Sequence, residues 1–159
     1  MVDHARGPGS LRWLACLCAA ALLLTFAGHR PAAAAPAGTS LYARLGGYDA
    51  IAAVVDDFIT RLAGDPQLGR FFVGHSQDSL HRIRQLVVDL TCQATGGPCQ
   101  YTGRDMKTSH KGLGISEADW NASVRHLTAS LDKFKVPDRE KNELLAIVSR
   151  LKADIVEKP

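Results

Sequence analysis

The sequence lacks a basic stripe, an apolar run long enough to span a membrane and any sustained β pattern. It has 19 Lys and Arg against 16 Asp and Glu, a net charge of +3. Three of those basic residues, Arg6, Arg12 and Arg30, fall within residues 1–37. The remainder is close to neutral, so no nucleic acid is expected as a partner; such binders cluster Lys and Arg on one face. Phe, Trp and Tyr together make only 6%. No stretch alternates with period two for long, which argues against a sheet. No repeat recurs at solenoid spacing, and no low-complexity tract lies beyond the N-terminus. What is present is 46% hydrophobic residues in a chain of 159, enough for one domain with one core.

Residues 1–37 differ from the rest. Trp13 to Gly28 is an uncharged apolar run of 16 residues, preceded by Arg6 and Arg12 and broken by His29-Arg30-Pro31. A spanning helix needs about 20 residues. A basic start, a short apolar run and the small residues Ala32 to Ala37 read as a secretory signal, cleaved near Ala35–Ala37. Residues 38–159 are then the mature domain, in an exported or periplasmic setting. If retained, the leader would be an N-terminal anchor and the route to a membrane. Cys16 and Cys18 lie inside the apolar run rather than after it, unlike a lipoprotein anchor. Cys92 and Cys99 remain, and an oxidising compartment lets them pair.

The mature part reads as all-α. Ile51, Val54, Val55, Phe58 and Leu62 recur at helical spacing over 49–62. Gly64-Asp65-Pro66 ends that helix. Gln77 to Ala94 is a second long helix with Leu80, Ile83, Leu86, Val87 and Leu90 as its stripe, capped by Asp78 or Ser79 and stopped by Gly96-Gly97-Pro98. A short helix is expected over 104–110. Ser116 opens a third long helix carrying Trp120, Val124, Leu127 and Leu131, and Pro137 opens a last one reaching about Val156.

The stretch from Tyr101 to Ile115, YTGRDMKTSHKGLGI, is too short and too rich in Gly for an ordinary core helix. Met106 and His110 are four residues apart and share a face, and Leu113 and Ile115 continue an apolar lining. A His on such a pedestal suits a metal or heme ligand. Spacing alone leaves open the commoner case, a half-buried His bonded to a backbone carbonyl.

The order SLYARLGGYDAIAAVVDDF, a Pro-containing bend, RFFVGH, a helix ending in GGPCQYTG, then DMKTSHKGLGI, resembles the group I truncated hemoglobins. The resemblance runs from Ser40 to about Val156. It implies a two-over-two α-helical sandwich around heme, with glycine hinges at Gly46-Gly47 and Gly96-Gly97. It implies that His110 is the proximal iron ligand through Nε2, leaving the sixth position for O₂, NO or CO. Phe72 would stack beside the porphyrin with Phe71 behind it, and Phe58 would line the pocket; each also suits plain core packing. The same holds for Trp120 and Val124 on the proximal side. No C-x-x-C-H is present, so heme b is expected without thioether bonds.

The distal side departs from the family. Many members carry a Tyr directly after the residue matching Phe58, where this chain has Ile59. That Tyr would donate a hydrogen bond to O₂, and Ile cannot. Counting forward from Phe71-Phe72 turns Leu80, Ile83, Arg84 and Val87 toward the heme. Counting back from Gly96-Gly97 favours Arg84 and Val88. A one-residue slip would bring in His81 and Gln85 as distal donors, or His81 as a sixth ligand. The apolar stripe supports the first frame and a mainly apolar distal pocket. Arg84, Lys107 and Lys111 could pair with heme propionates or be solvated charges. His75 reads as surface, and His126 has no assigned role.

A Cys92–Cys99 bridge would close a loop of eight residues, worth very roughly 2–3 kcal/mol, and brace the hinge leading to His110; the alternative is two free thiols. The spacing C-x₆-C is not a zinc signature. The resemblance implies a reversible O₂-binding globin, for transport or storage. The alternatives are NO dioxygenation or peroxidase-like detoxification, either served by an electron-donor reductase or by peroxide, and a heme-free helical bundle. N-terminal sequencing of the exported protein is expected to begin near residues 36–38; a chain starting at Met1 would show an uncleaved leader.

Overall fold

The computed structural model describes residues 39–158. The expected leader, with Cys16 and Cys18, lies outside the described residues. Within them are α1 (Leu41–Arg44), α2 (Gly47–Gly64), a 3-10 turn at Gly69–Phe71, α3 (Gln77–Ala94), α4 (Met106–His110), α5 (Glu117–Lys133), α6 (Asp138–Ser149) and α7 (Lys152–Ile155). None of these helices is long and apolar enough to cross a membrane.

The helix ends follow local chemistry. α3 has the expected bounds, but its cap is Ser76 rather than Asp78 or Ser79: the Ser76 hydroxyl accepts from the Ser79 N–H at 3.2 Å. Asp78 instead sits in the first turn, near the positive end of the helix dipole. α4 starts at Met106, later than the expected Arg104, because Asp105 caps it by accepting from the Thr108 N–H at 2.8 Å. The segment expected as one helix from Pro137 divides in two. The Arg150 and Leu151 amides bond to the Ile147 and Val148 carbonyls. These three-residue steps tighten the last turn of α6 and end it before α7 begins.

α2 is the central element, packed against α3 on one side and α5 on the other, while α5 packs on α6. These two helix pairs make the two-over-two arrangement. One apolar cluster joins Leu41, Val54, Leu127, Leu131 and Leu144, and a second joins Ile51, Ala52, Val55 and Val88. α2 contributes to both.

α3 closes with a Schellman turn. Gly96 N–H donates to the Gln93 carbonyl at 3.1 Å and Gly97 N–H to the Cys92 carbonyl at 2.8 Å, with Gly96 left-handed at φ 83°. A Cβ on Gly97 would lie 2.5 Å from the Tyr42 ring and 2.6 Å from Cys92 Sγ, so only glycine fits. Tyr42 N–H in turn donates to the Thr95 carbonyl at 2.8 Å, tying α1 to the end of α3.

Two buried polar groups fasten the outer helices. Arg44 pairs with Glu140 at 3.0 Å and with Glu143, joining α1 to α6. Asp119 completes a capping box with Ser116. It also accepts from Gln67 at 2.7 Å and Arg70 at 2.8 Å, pinning the segment between α2 and α3 to α5. Burial alone would raise the Asp119 carboxyl pKa, but hydrogen bonds from Ser116 and Gln67, with the charge of Arg70, hold it at about 2.

Asp119→Asn is therefore expected to destabilise the fold at neutral pH by on the order of 2 kcal/mol. The carboxyl's pKa is lower folded than unfolded, so its contribution is complete above about pH 4 and disappears as pH falls through about 2. Urea denaturation of variant and wild type should converge across that window; a gap independent of pH would show that the charge is not what matters.

Candidate functional site

α4 has five residues, far below the length at which a helix persists alone. Its position comes from what leads into it. The Cys92–Cys99 disulfide, with Cα atoms 5.7 Å apart, fastens the outgoing chain to the buried end of α3. Tyr101 N–H then donates to Gln93 Oε1 at 2.6 Å, and the Tyr101 hydroxyl donates to the Arg104 carbonyl at 2.6 Å. The Asp105 cap follows, and α4 rises to His110.

His110 Nδ1 lies 2.8 Å from the Met106 carbonyl oxygen. A carbonyl only accepts, so Nδ1 carries the proton and Nε2 keeps its lone pair. The backbone-bonded arrangement is the one observed; the carbonyl bond orients the ring, and the opposite nitrogen is the one that could ligate.

His110 and Met106 line a cavity of about 300 Å³ between the two helix pairs. α2 contributes Ile51, Val54, Val55 and Phe58, α3 contributes Val87, Leu90 and Thr91, and α5 contributes Ser123, Val124, Leu127 and Leu131. The two hydroxyls on this wall are engaged with backbone: Thr91 donates to the Val87 carbonyl at 2.8 Å and Ser123 to the Trp120 carbonyl at 2.8 Å. Phe134, 41% exposed, also lines the cavity, where it meets solvent. An apolar slot of ligand size, with one imidazole nitrogen available, fits an iron porphyrin.

Of the side chains expected at a heme, Phe58, Val87, Met106, His110 and Val124 line the cavity; the others lie elsewhere. Ile59 packs on the cluster around Ile51, Val55 and Val88. Phe71 and Phe72 are half-buried, and the Arg70 guanidinium lies 4.4 Å from the Phe71 ring centre. Leu80 and Ile83 are half-buried on α3 outside the lining, and His81 is exposed. Arg84 grips Asp56 through two bonds of 2.7 and 2.9 Å, and this pairing holds the Asp56 carboxyl below the usual range. Gln85 donates to the Tyr48 hydroxyl at 2.7 Å and to Asp89 at 2.9 Å. Arg84 and Gln85 thus serve contacts outside the cavity.

Leu113 is 46% exposed, whereas Ile115 and Trp120 are buried outside the lining. Lys107, Lys111 and His75 are exposed. His126 has a structural partner that its sequence position did not suggest: Nε2 lies 2.8 Å from Asp65.

From α3, Val87 of the first frame lines the cavity together with Leu90 and Thr91, whereas Leu80, Ile83, Arg84 and Val88 do not. Leu90 and Thr91, three and four residues beyond Val87, follow helical spacing and were the signal available for finding this lining. The start of α3 through Arg82 is largely exposed. The Gly96-Gly97 turn holds the other end.

The chain matches the Bacterial-like globin family over residues 40–157. Group 1 truncated hemoglobin GlbN of Mycolicibacterium paratuberculosis is 35% identical over 116 residues, covering 73% of this chain and 83% of that protein. The truncated hemoglobin of Tetrahymena pyriformis in its Fe(III) form superposes with a TM-score of 0.68 at 27% identity, covering 74% of this chain and 98% of that one. The 2/2 hemoglobin of Synechococcus, solved in the cyanomet state with covalently attached heme, gives a TM-score of 0.68 at 26% identity with the same coverage. A helical sandwich split by an apolar cavity, with one oriented imidazole in its wall, is therefore found in a chain that belongs to the bacterial-like globin family as a group I truncated hemoglobin.

Proposed function

We propose that this protein reversibly binds O₂, and also NO and CO, at a histidine-ligated heme iron, for oxygen transport or storage in an exported setting. The observation that carries the reading is His110: its Nδ1–H is held by the Met106 carbonyl, and its ring lines the apolar cavity. Heme b, bound without thioether bonds, supplies an iron whose sixth position accepts a diatomic gas. His110 Nε2 would hold the fifth position, and Phe58, Met106 and Val124 would pack against the porphyrin.

The α3 wall would exclude water through Val87 and Leu90. It presents no donor comparable with a Tyr hydroxyl, because Thr91 is bonded to its own helix. Retention of O₂ then depends on the iron and on packing, so fast release is the expected behaviour. An electron-donor reductase would keep such a site ferrous. The exported setting rests on the leader, and the Cys92–Cys99 bond supports it, since disulfides persist in oxidising compartments.

Visible spectra of ferric, ferrous and CO-bound protein purified from cells with ample heme test the reading, and a protein without a Soret band would end it. His110→Ala should lose stable heme retention; unchanged heme content would remove His110 from the iron. Val87→Gln places an amide donor on the cavity wall. A hydrogen bond worth about 1.5 kcal/mol would slow O₂ dissociation roughly tenfold, while CO dissociation should change little, as stopped-flow mixing can measure. Equal slowing of both gases would indicate a closed route rather than a hydrogen bond.

A further inference from the structure

α4 is well held at its start by Asp105 and poorly held at its end, where the Leu113 N–H to His110 carbonyl bond of 3.1 Å is its local closure. The loop after it is gripped from the C-terminus of the chain. Glu157 Oε1 accepts from the Gly112 N–H at 2.7 Å, and Oε2 from the Gly114 N–H at 2.6 Å. Two amides converging on one anion make a nest, and bonds to an ionised carboxylate are roughly twice as strong as neutral ones. The Gly112 and Gly114 amides hold the Glu157 carboxyl below its usual range.

The backbone of the same strap bonds separately. Glu157 and Lys158 N–H both donate to the Ile115 carbonyl, at 2.8 and 3.1 Å, and Glu117 N–H donates to the Lys158 carbonyl at 3.1 Å. α7 packs against α4 just before the strap. The Glu157 side chain is exposed and belongs to neither apolar cluster. Its bonds go to the amides two and four residues beyond His110.

We propose that Glu157 is a positioning residue for His110, its carboxylate clamping the Gly112 and Gly114 amides and so fixing the end of α4 from which the imidazole projects. This rests on the reading of His110 as the iron ligand. The backbone bonds through Ile115 hold the strap in place when the side chain is changed, so the clamp can be removed without unfolding the chain. Loss of the carboxylate frees the loop and lets the imidazole tilt relative to the iron.

The test uses the full heme-loaded protein with Glu157→Ala and Glu157→Gln. Gln keeps the volume and one acceptor oxygen but turns an amide donor toward one glycine N–H. In the Ala variant, hydrogen exchange at Gly112 and Gly114 should accelerate and the ferrous iron–histidine stretching band should shift or broaden. Heme transfer to apomyoglobin should quicken about tenfold, the low end for outer partners of a metal ligand. Gln should fall between Ala and wild type, with the thermal midpoint near wild type in both. Should Ala fail to fold, Gln alone carries the comparison. Faster glycine exchange with an unchanged iron–histidine band and heme-loss rate would overturn the proposal, as would no change at all. Wild-type protein that takes up no heme would overturn the functional reading and this proposal together.

Discussion

One hydrogen bond sets the chemistry of this protein, the contact between His110 Nδ1 and the Met106 carbonyl. It decides which imidazole nitrogen bears the proton and therefore which can donate electrons to a metal. It also locks the ring to a backbone atom of its own helix, so the direction of the lone pair depends on where α4 stands. A helix this short has little stability of its own. Much of the surrounding structure can be understood as what keeps five residues in place.

The N-terminal side of the pedestal is anchored covalently and by steric exclusion. Cys92 is fully buried and bonded to Cys99, and the intervening Gly96-Gly97 turn leaves no room for a side chain beside Tyr42 and Cys92. On the C-terminal side the anchor is electrostatic, a carboxylate in a pair of backbone amides. Opposite the pedestal, α2 lends one face to both apolar clusters and the cavity lies between them. A core built around a cofactor cannot close on itself, so part of the work of holding the helices passes to polar ties at the periphery. Arg44 with Glu140, and Asp119 with Gln67 and Arg70, are of this kind. So is Asp57, which accepts from Ser130 and pairs with Arg61 and Lys133, contacts that hold its carboxyl well below the usual range.

The α3 wall shows how engaged polar side chains leave an apolar lining. Ile59 packs into the α2–α3 cluster. Polar residues of α3 are engaged elsewhere, Arg84 with Asp56 and Gln85 with Tyr48 and Asp89. What reaches the cavity from α3 is Val87, Leu90 and Thr91. Val87 and Leu90 are apolar, and the Thr91 hydroxyl is bonded to its own helix.

The all-α class, the span of α3, the glycine stop after it and the shared face of Met106 and His110 were legible in the sequence. Each is a local property: apolar spacing within one helix, a residue that breaks helices, or a motif whose residues are neighbours along the chain. The register of α3 against the cavity was not local. It depends on the Cys92–Cys99 bond and the Gly97–Tyr42 contact fixing the C-terminal end of α3. The His126–Asp65 contact and the Glu157 clamp likewise join residues 61 and 45 positions apart. Sequence periodicity records which face of a helix is apolar. Which turn of that face meets the cavity, and which distant carboxylate reaches the loop behind His110, were settled only when the helices packed.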